Sequence, residues 1–270
     1  MKYITFLLLI TIFNGCKKPT GQPVFTETQI DLTTHKLSAY SYIKNSKYLV
    51  VFETGLGDAA VIWTEKNIHT QIAPLADVVM YDRAGYGKSA KGPAPRDINK
   101  LRTELETLVT KFANGRKIIL IAHSLGGMVI RDYAIKNAAK VAALLFVDPS
   151  HELYNRPTQA EEDFIYNTFN TAYGADFGGT TEARQLIEDS QYMEGLPNLP
   201  NVPVIVLTSM KTDAQHTAAD RQNWFAAHEA LKNGITDFTH LTTTNSFHYI
   251  QREQPQLVID NIKLLLSKLP

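Results

Sequence analysis

The chain has 270 residues, 44% of them hydrophobic, with 27 basic and 27 acidic side chains and a formal net charge of zero. That length and apolar content suffice for one globular domain with a full-sized core. A balanced charge without any basic run leaves no electrostatic footprint for a polyanion, which argues against nucleic acid as a partner.

In chain order, Lys2 is followed by an apolar stretch from Tyr3 to Phe13, then by Asn14-Gly15-Cys16 and Lys17-Lys18-Pro19. The stretch is too short to span a bilayer and has the length of a signal-peptide core. The single cysteine of the chain closes it, preceded by glycine. This arrangement resembles a bacterial lipoprotein signal. The resemblance implies that residues 1–15 are removed, that Cys16 becomes a lipidated N-terminus, and that the protein is exported to the bacterial cell envelope and held at a membrane through lipid. One cysteine cannot form an internal disulfide, so the core must hold the domain together unaided. Residues 16–23 are polar and proline-bearing and read as a tether, and the ordered domain is expected over 24–270.

Residues 24–44 alternate loosely and predict two antiparallel strands. Continuous apolar runs follow at Tyr48–Phe52, Val78–Tyr81, Ile118–Ala122, Val141–Val147 and Val204–Leu207, with a weaker one at Phe238–Leu241. Short unbroken runs of this kind suit a sheet covered on both faces. Between them lie amphipathic helical segments. The clearest spans Asp97 to Asn114, with Ile98, Leu101, Leu105, Leu108 and Phe112 on one stripe, Asp97 as N-cap and Gly115 as the stop. Such alternation predicts an α/β fold with a doubly wound, mostly parallel sheet. Residues 151–200 contain no strand-like run but carry Thr158-x-x-Glu161, a capping box, and the aromatics Phe164, Tyr166, Phe169, Tyr173, Phe177 and Tyr192. This insertion predicts a helical cap, or lid, over the strand ends.

The chemistry centres on Ala122-His123-Ser124-Leu125-Gly126, directly after the run Lys117–Ile121. A serine hydroxyl is a poor nucleophile unless a sharp strand-to-helix turn thrusts it toward a base, and such a turn demands small neighbours. Gly126 and Gly127 let the next helix approach, and the Leu125 N–H at that helix's start points where an oxyanion would form. A second N–H is expected from Leu56, in the glycine-bearing loop Glu53-Thr54-Gly55-Leu56-Gly57 after the first parallel strand. The candidate base is His248, after the final strand run. His151, just past a strand end, is its only rival. His123 is expected beneath the turn, and His35, His69, His216, His228 and His240 have no comparable placement.

Five segments in order are similar to the α/β-hydrolase superfamily, over essentially all of residues 24–270: Val51–Gly57, Tyr81-Asp82-Arg83-Ala84-Gly85-Tyr86-Gly87-Lys88-Ser89, Ala122–Gly127, Phe146–Pro149 and His248–Gln251. The resemblance implies a Ser…acid…His order, an eight-stranded sheet, no cofactor and no metal. A serine at position 124 sets the chain apart from haloalkane dehalogenases and epoxide hydrolases, which resemble it but use aspartate there. Ala122 stands where the superfamily has glycine, and Thr54-Gly55 where most relatives have His-Gly. By the same likeness Asp82-Arg83 is a structural element of a turn and does no chemistry. Most relatives place the acid in a Gly-x-x-Asp turn after the strand here represented by Pro203–Leu207. This chain reads Thr208-Ser209-Met210-Lys211-Thr212-Asp213, without glycine and with the aspartate late. Other relatives carry the acid where Asp148 ends the preceding strand. Asp148 and Asp213 are therefore both candidates, and Asp148 is favoured because it leaves its strand directly at the sheet edge with Pro149 stiffening the exit. The expected activity is hydrolysis of uncharged carboxylic esters. Amides, thioesters and C–C bonds beside a carbonyl are alternatives on the same residues, as is a non-catalytic, lipid-anchored binding protein of the same fold.

Overall fold

The computed structural model describes residues 21–270, so the expected signal segment and Cys16 lie outside the described residues. The strands are β1 (Thr26–Asp31), β2 (Lys36–Tyr42), β3 (Leu49–Glu53), β4 (Asp77–Tyr81), β5 (Ile118–His123), β6 (Val141–Val147), β7 (Val204–Ser209) and β8 (Phe238–Thr243). They form one eight-stranded sheet in the order β1-β2-β4-β3-β5-β6-β7-β8. The hairpin β1–β2 and the pair β2–β4 are antiparallel, and every pairing from β4 to β8 is parallel.

The helices are α1 (Ile68–Ile72), α2 (Ile98–Ala113), α3 (Leu125–Lys136), α4 (Gln159–Tyr173), α5 (Gly178–Glu182), α6 (Leu186–Glu194), α7 (Ala218–Glu229), α8 (Ile250–Glu253) and α9 (Pro255–Lys268). Side chains alternate across each strand, and this splits the core in two. Leu49, Val51, Leu120 and Ala122 pack with the apolar stripes of α2 and α3. Val50, Phe52, Ile119 and Ile121 face the other way, onto Trp63, α1 and α9. Both faces are covered, which is why β3 to β7 read as continuous apolar runs.

Local signals behave as their chemistry requires. Asp97 accepts the Lys100 N–H at 2.7 Å, and α2 ends on Asn114 in the left-handed region at φ 47°, one residue before Gly115. The Thr158 and Glu161 side chains satisfy each other's backbone N–H at the start of α4. The insertion between β6 and β7 is helical, made of α4 to α6. Its aromatics divide, however. Phe169 and Phe177 turn inward, whereas Phe164 and Tyr173 are 73% and 66% exposed.

Candidate active site

The loops after β3, β5, β6 and β8 all leave the carboxyl edge of the sheet, where an open α/β sheet presents its crevice. Ser124 follows β5 at φ 52°, ψ −125°, a conformation that few non-glycine residues adopt. Its carbonyl accepts the Gly127 N–H at 2.8 Å and the Ser150 N–H at 2.9 Å, which holds the turn closed. A β-carbon on Gly126 would lie 2.5 Å from the Thr54 carbonyl, and one on Gly127 would lie 2.5 Å from Pro149. Only glycine permits that approach. Ala122 still belongs to β5 and is fully buried, so its methyl is accommodated in extended backbone before the turn begins.

The structure brings three of the expected side chains into one series. The Ser124 hydroxyl lies 2.8 Å from His248 Nε2, and His248 Nδ1 lies 2.7 Å from Asp148 Oδ2. A carboxylate only accepts, so Nδ1 carries the proton and Nε2 of the neutral ring is free to accept from the serine. Asp148 is fully buried, with φ 45°, a left-handed conformation that aspartate tolerates better than most side chains. Its Oδ1 accepts the Ser209 N–H and the Trp224 Nε1–H, each at 2.8 Å. Burial works to raise the Asp148 carboxyl, but the hydrogen bond from His248 Nδ1 and that from the Ser209 N–H hold it below its ordinary value.

Asp213 lies elsewhere. Its exposed carboxylate accepts from the His216 ring at 2.9 Å and from the His216 and Gln215 N–H groups. The glycine-free loop after β7 folds this side chain back on its own turn. His151 is buried against Arg131 and Glu152, and burial lowers its pKa to about 4. His123 lies under the site, as expected of a residue beneath the turn. Its Nε2–H donates to the His248 carbonyl at 3.1 Å, and burial, with the His248 ring, lowers its pKa.

Leu56 and Leu125 line the same cavity as Ser124. Among the described residues, neither backbone N–H has a hydrogen-bond partner. Gly55 makes this approach possible, since a β-carbon there would stand 3.0 Å from the Ser124 β-carbon. Two side chains at the site carried no sequence signal: Trp224, on α7, and Ser150, whose hydroxyl is 3.5 Å from that of Ser124. No group of three metal-ligating side chains occurs among the described residues.

Residues 48–259 match the family model described as alpha/beta hydrolase fold. The chain belongs to the α/β-hydrolase family. It is similar to the uncharacterized protein YqjL of Bacillus subtilis (strain 168), 24% identical over 215 residues that cover 79% of this chain and 81% of that protein. Two solved structures share the α/β-hydrolase fold at a TM-score of 0.71 each. One is a thermophilic esterase from Thermogutta terrifontis, 18% identical, covering 90% of this chain and 98% of that one. The other is epoxide hydrolase A from Mycobacterium thermoresistibile, 17% identical, covering 92% and 99%.

Two pockets of this α/β-hydrolase meet at Ser124. The larger, about 550 Å³, is mostly apolar, with Leu56, Met128, Phe164, Ile165 and Leu186 in its walls. The smaller, about 320 Å³, is mixed, with Asp213, His216, Arg221 and His248 set beside Trp224 and Phe247.

Proposed function

We propose that this chain is a serine hydrolase that cleaves carboxylic esters through an acyl-enzyme. The observation that supports this reading most directly is the unbroken series from Ser124 through His248 to the buried Asp148. His248 takes the Ser124 proton as the oxygen attacks the acyl carbonyl, and Asp148 stabilises the imidazolium that results. The Leu56 and Leu125 N–H groups hold the oxyanion. His248 then gives its proton to the leaving oxygen, so the alcohol departs on the His248 side, in the smaller pocket. Water, activated in the same way, releases the acid. The acyl group by elimination occupies the larger, apolar cavity, which gives a substrate with an apolar acyl chain and a smaller alcohol.

A series of aryl esters of graded acyl length tests the assignment of the pockets. From acetyl upward, kcat/KM is expected to rise with each methylene that enters the cavity, by at most about 0.8 kcal/mol each, and then to level off. A series that falls from acetyl onward sinks this assignment. A fluorophosphonate probe labels Ser124 if the serine reacts at all, and a wild-type protein that stays unlabelled is a binding protein and not an enzyme.

Membrane attachment through Cys16 is proposed from the sequence alone. Bacterial lipoprotein maturation supplies more than one acyl chain, which anchors stably where one chain binds only marginally. Expressed with its leader, the wild type is expected to pellet with membranes and Cys16→Ser to remain in the supernatant. Equal partitioning of the two leaves an ordinary secretory leader.

A further inference from the structure

Arg83 lies in the turn after β4, fully buried, and touches none of the three residues in series. Its guanidinium is nonetheless aimed at the loop beside Ser124. Nη1 donates to the Thr54 carbonyl at 2.6 Å, and Nη2 donates to the Gly55 carbonyl at 2.8 Å. The Gly55 carbonyl shares a peptide unit with the Leu56 N–H, and that bond is trans. In a planar trans peptide the C=O and N–H point in opposite directions. Anchoring the carbonyl to the buried guanidinium therefore fixes the N–H toward the cavity that Leu56 and Ser124 line. A cation on the carbonyl also polarises the amide, which strengthens its N–H as a donor.

The guanidinium is itself held from two sides. Nη1 meets Glu53 Oε1 at 2.8 Å, from the end of β3, while Nε and Nη2 form a two-pronged pair with Glu182, each at 2.8 Å. Glu182 closes α5, in the insertion between β6 and β7. It also accepts from Tyr86 Oη at 2.7 Å, and that oxygen in turn accepts the Gly57 N–H at 3.1 Å. The helix is seated on the same turn through the Gly178 N–H, which donates to the Gly85 carbonyl at 3.0 Å. The cap and the Thr54–Gly57 loop thus share one buried network.

Resting on the serine-hydrolase reading above, we infer that Arg83 is a positioning residue of the oxyanion hole, presenting the Leu56 N–H, and that Glu182 couples this donor to the cap. The test compares the purified wild type with Arg83→Lys and Glu182→Gln, each assayed per serine titrated by fluorophosphonate. Lysine keeps a cation but has no fork to reach both Gly55 and Glu182. Arg83→Lys is expected to lower kcat on the order of 10²-fold with KM within about threefold, the pattern of a lost transition-state donor. The affinity for a trifluoromethyl ketone, whose adduct places an oxyanion in the hole, is expected to fall in the same proportion. Glu182→Gln leaves Arg83 in place and is expected to cost roughly tenfold in both readouts. A merely structural role reduces the number of titratable serines and moves neither ratio. Unchanged kcat and inhibitor affinity in a folded variant, or a change in KM alone, overturns the inference. If Arg83→Lys does not fold, Glu182→Gln decides by the same two readouts. Absence of labelling in the wild type overturns the serine reading and this inference with it, and is distinguishable from both other results.

Discussion

Ser124→Ala is expected to abolish ester hydrolysis, by about a thousandfold or more, and to leave the protein folded. Alanine retains the β-carbon, so the strained backbone at φ 52° costs the variant no more than it costs the wild type. The hydroxyl gives up its bond to His248 Nε2 and a long contact to Ser150, on the partly open side of the site. The unfolding midpoint should therefore move by only a few degrees. Stopped-assay rates on an aryl ester, with thermal melts of the same samples, check both halves. An alanine variant that turns over esters near the wild-type rate removes the serine from the mechanism.

Asp148→Asn is expected to be nearly as severe, and the bonds around the carboxylate say why. Oδ1 accepts two donors, Ser209 N–H and Trp224 Nε1–H, so the amide oxygen of asparagine must take that position. Its NH2 group then faces His248 Nδ1. Two donors cannot share one bond, so Nδ1 gives up its proton and Nε2 becomes protonated, opposite the Ser124 hydroxyl it ought to deprotonate. The loss is about 10⁴-fold in kcat, the size of this tautomer effect in a Ser-His-Asp protease. Asp213→Asn is expected to keep kcat within about twofold of wild type, since the exposed carboxylate borders the smaller pocket but hydrogen-bonds only within its own turn and not to His248. A large loss in the Asp213 variant with a small one in the Asp148 variant reverses the assignment of the acid and leaves the serine in place.

The sheet was legible because burial on both faces writes itself into composition: five residues at 49–53 and six at 118–123 are all buried, and the runs that predict them are correspondingly unbroken. Caps were legible for a local reason, since Asp97 and Thr158 bond within three residues of themselves. What the residues concealed lies at long range or in the backbone. Trp224 reaches Asp148 across 76 positions from a helix whose pattern marks no contact. Which of Asp148 and Asp213 lies against His248 follows from which loop folds back on itself, and glycine content pointed only weakly to it. Arg83 was legible as a turn residue but not as the partner of the Gly55 carbonyl, because main-chain acceptors leave no trace in residue identity. The exposure of Phe164 and Tyr173 was equally hidden, for an aromatic count says nothing about which face of a helix carries it.

The two pockets at Ser124 share Ser150, Tyr154 and Asn155 but draw the rest of their walls from different parts of the chain. The apolar one takes Arg156, Pro157, Ala160, Phe164, Ile165 and Leu186 from the insertion after β6, whereas the smaller one takes Asp213, His216, Arg221, Trp224 and Phe247 from the loops and helix that follow β7 and β8. Exchange or drift of the inserted segment beyond Asn155 can therefore remodel one half of the binding surface while the sheet, the turn at Ser124 and the opposite half stay as they are. Among descendants of one such gene, preference for one side of the scissile bond is free to diverge without preference for the other, and the two selectivities should be inherited as separate traits.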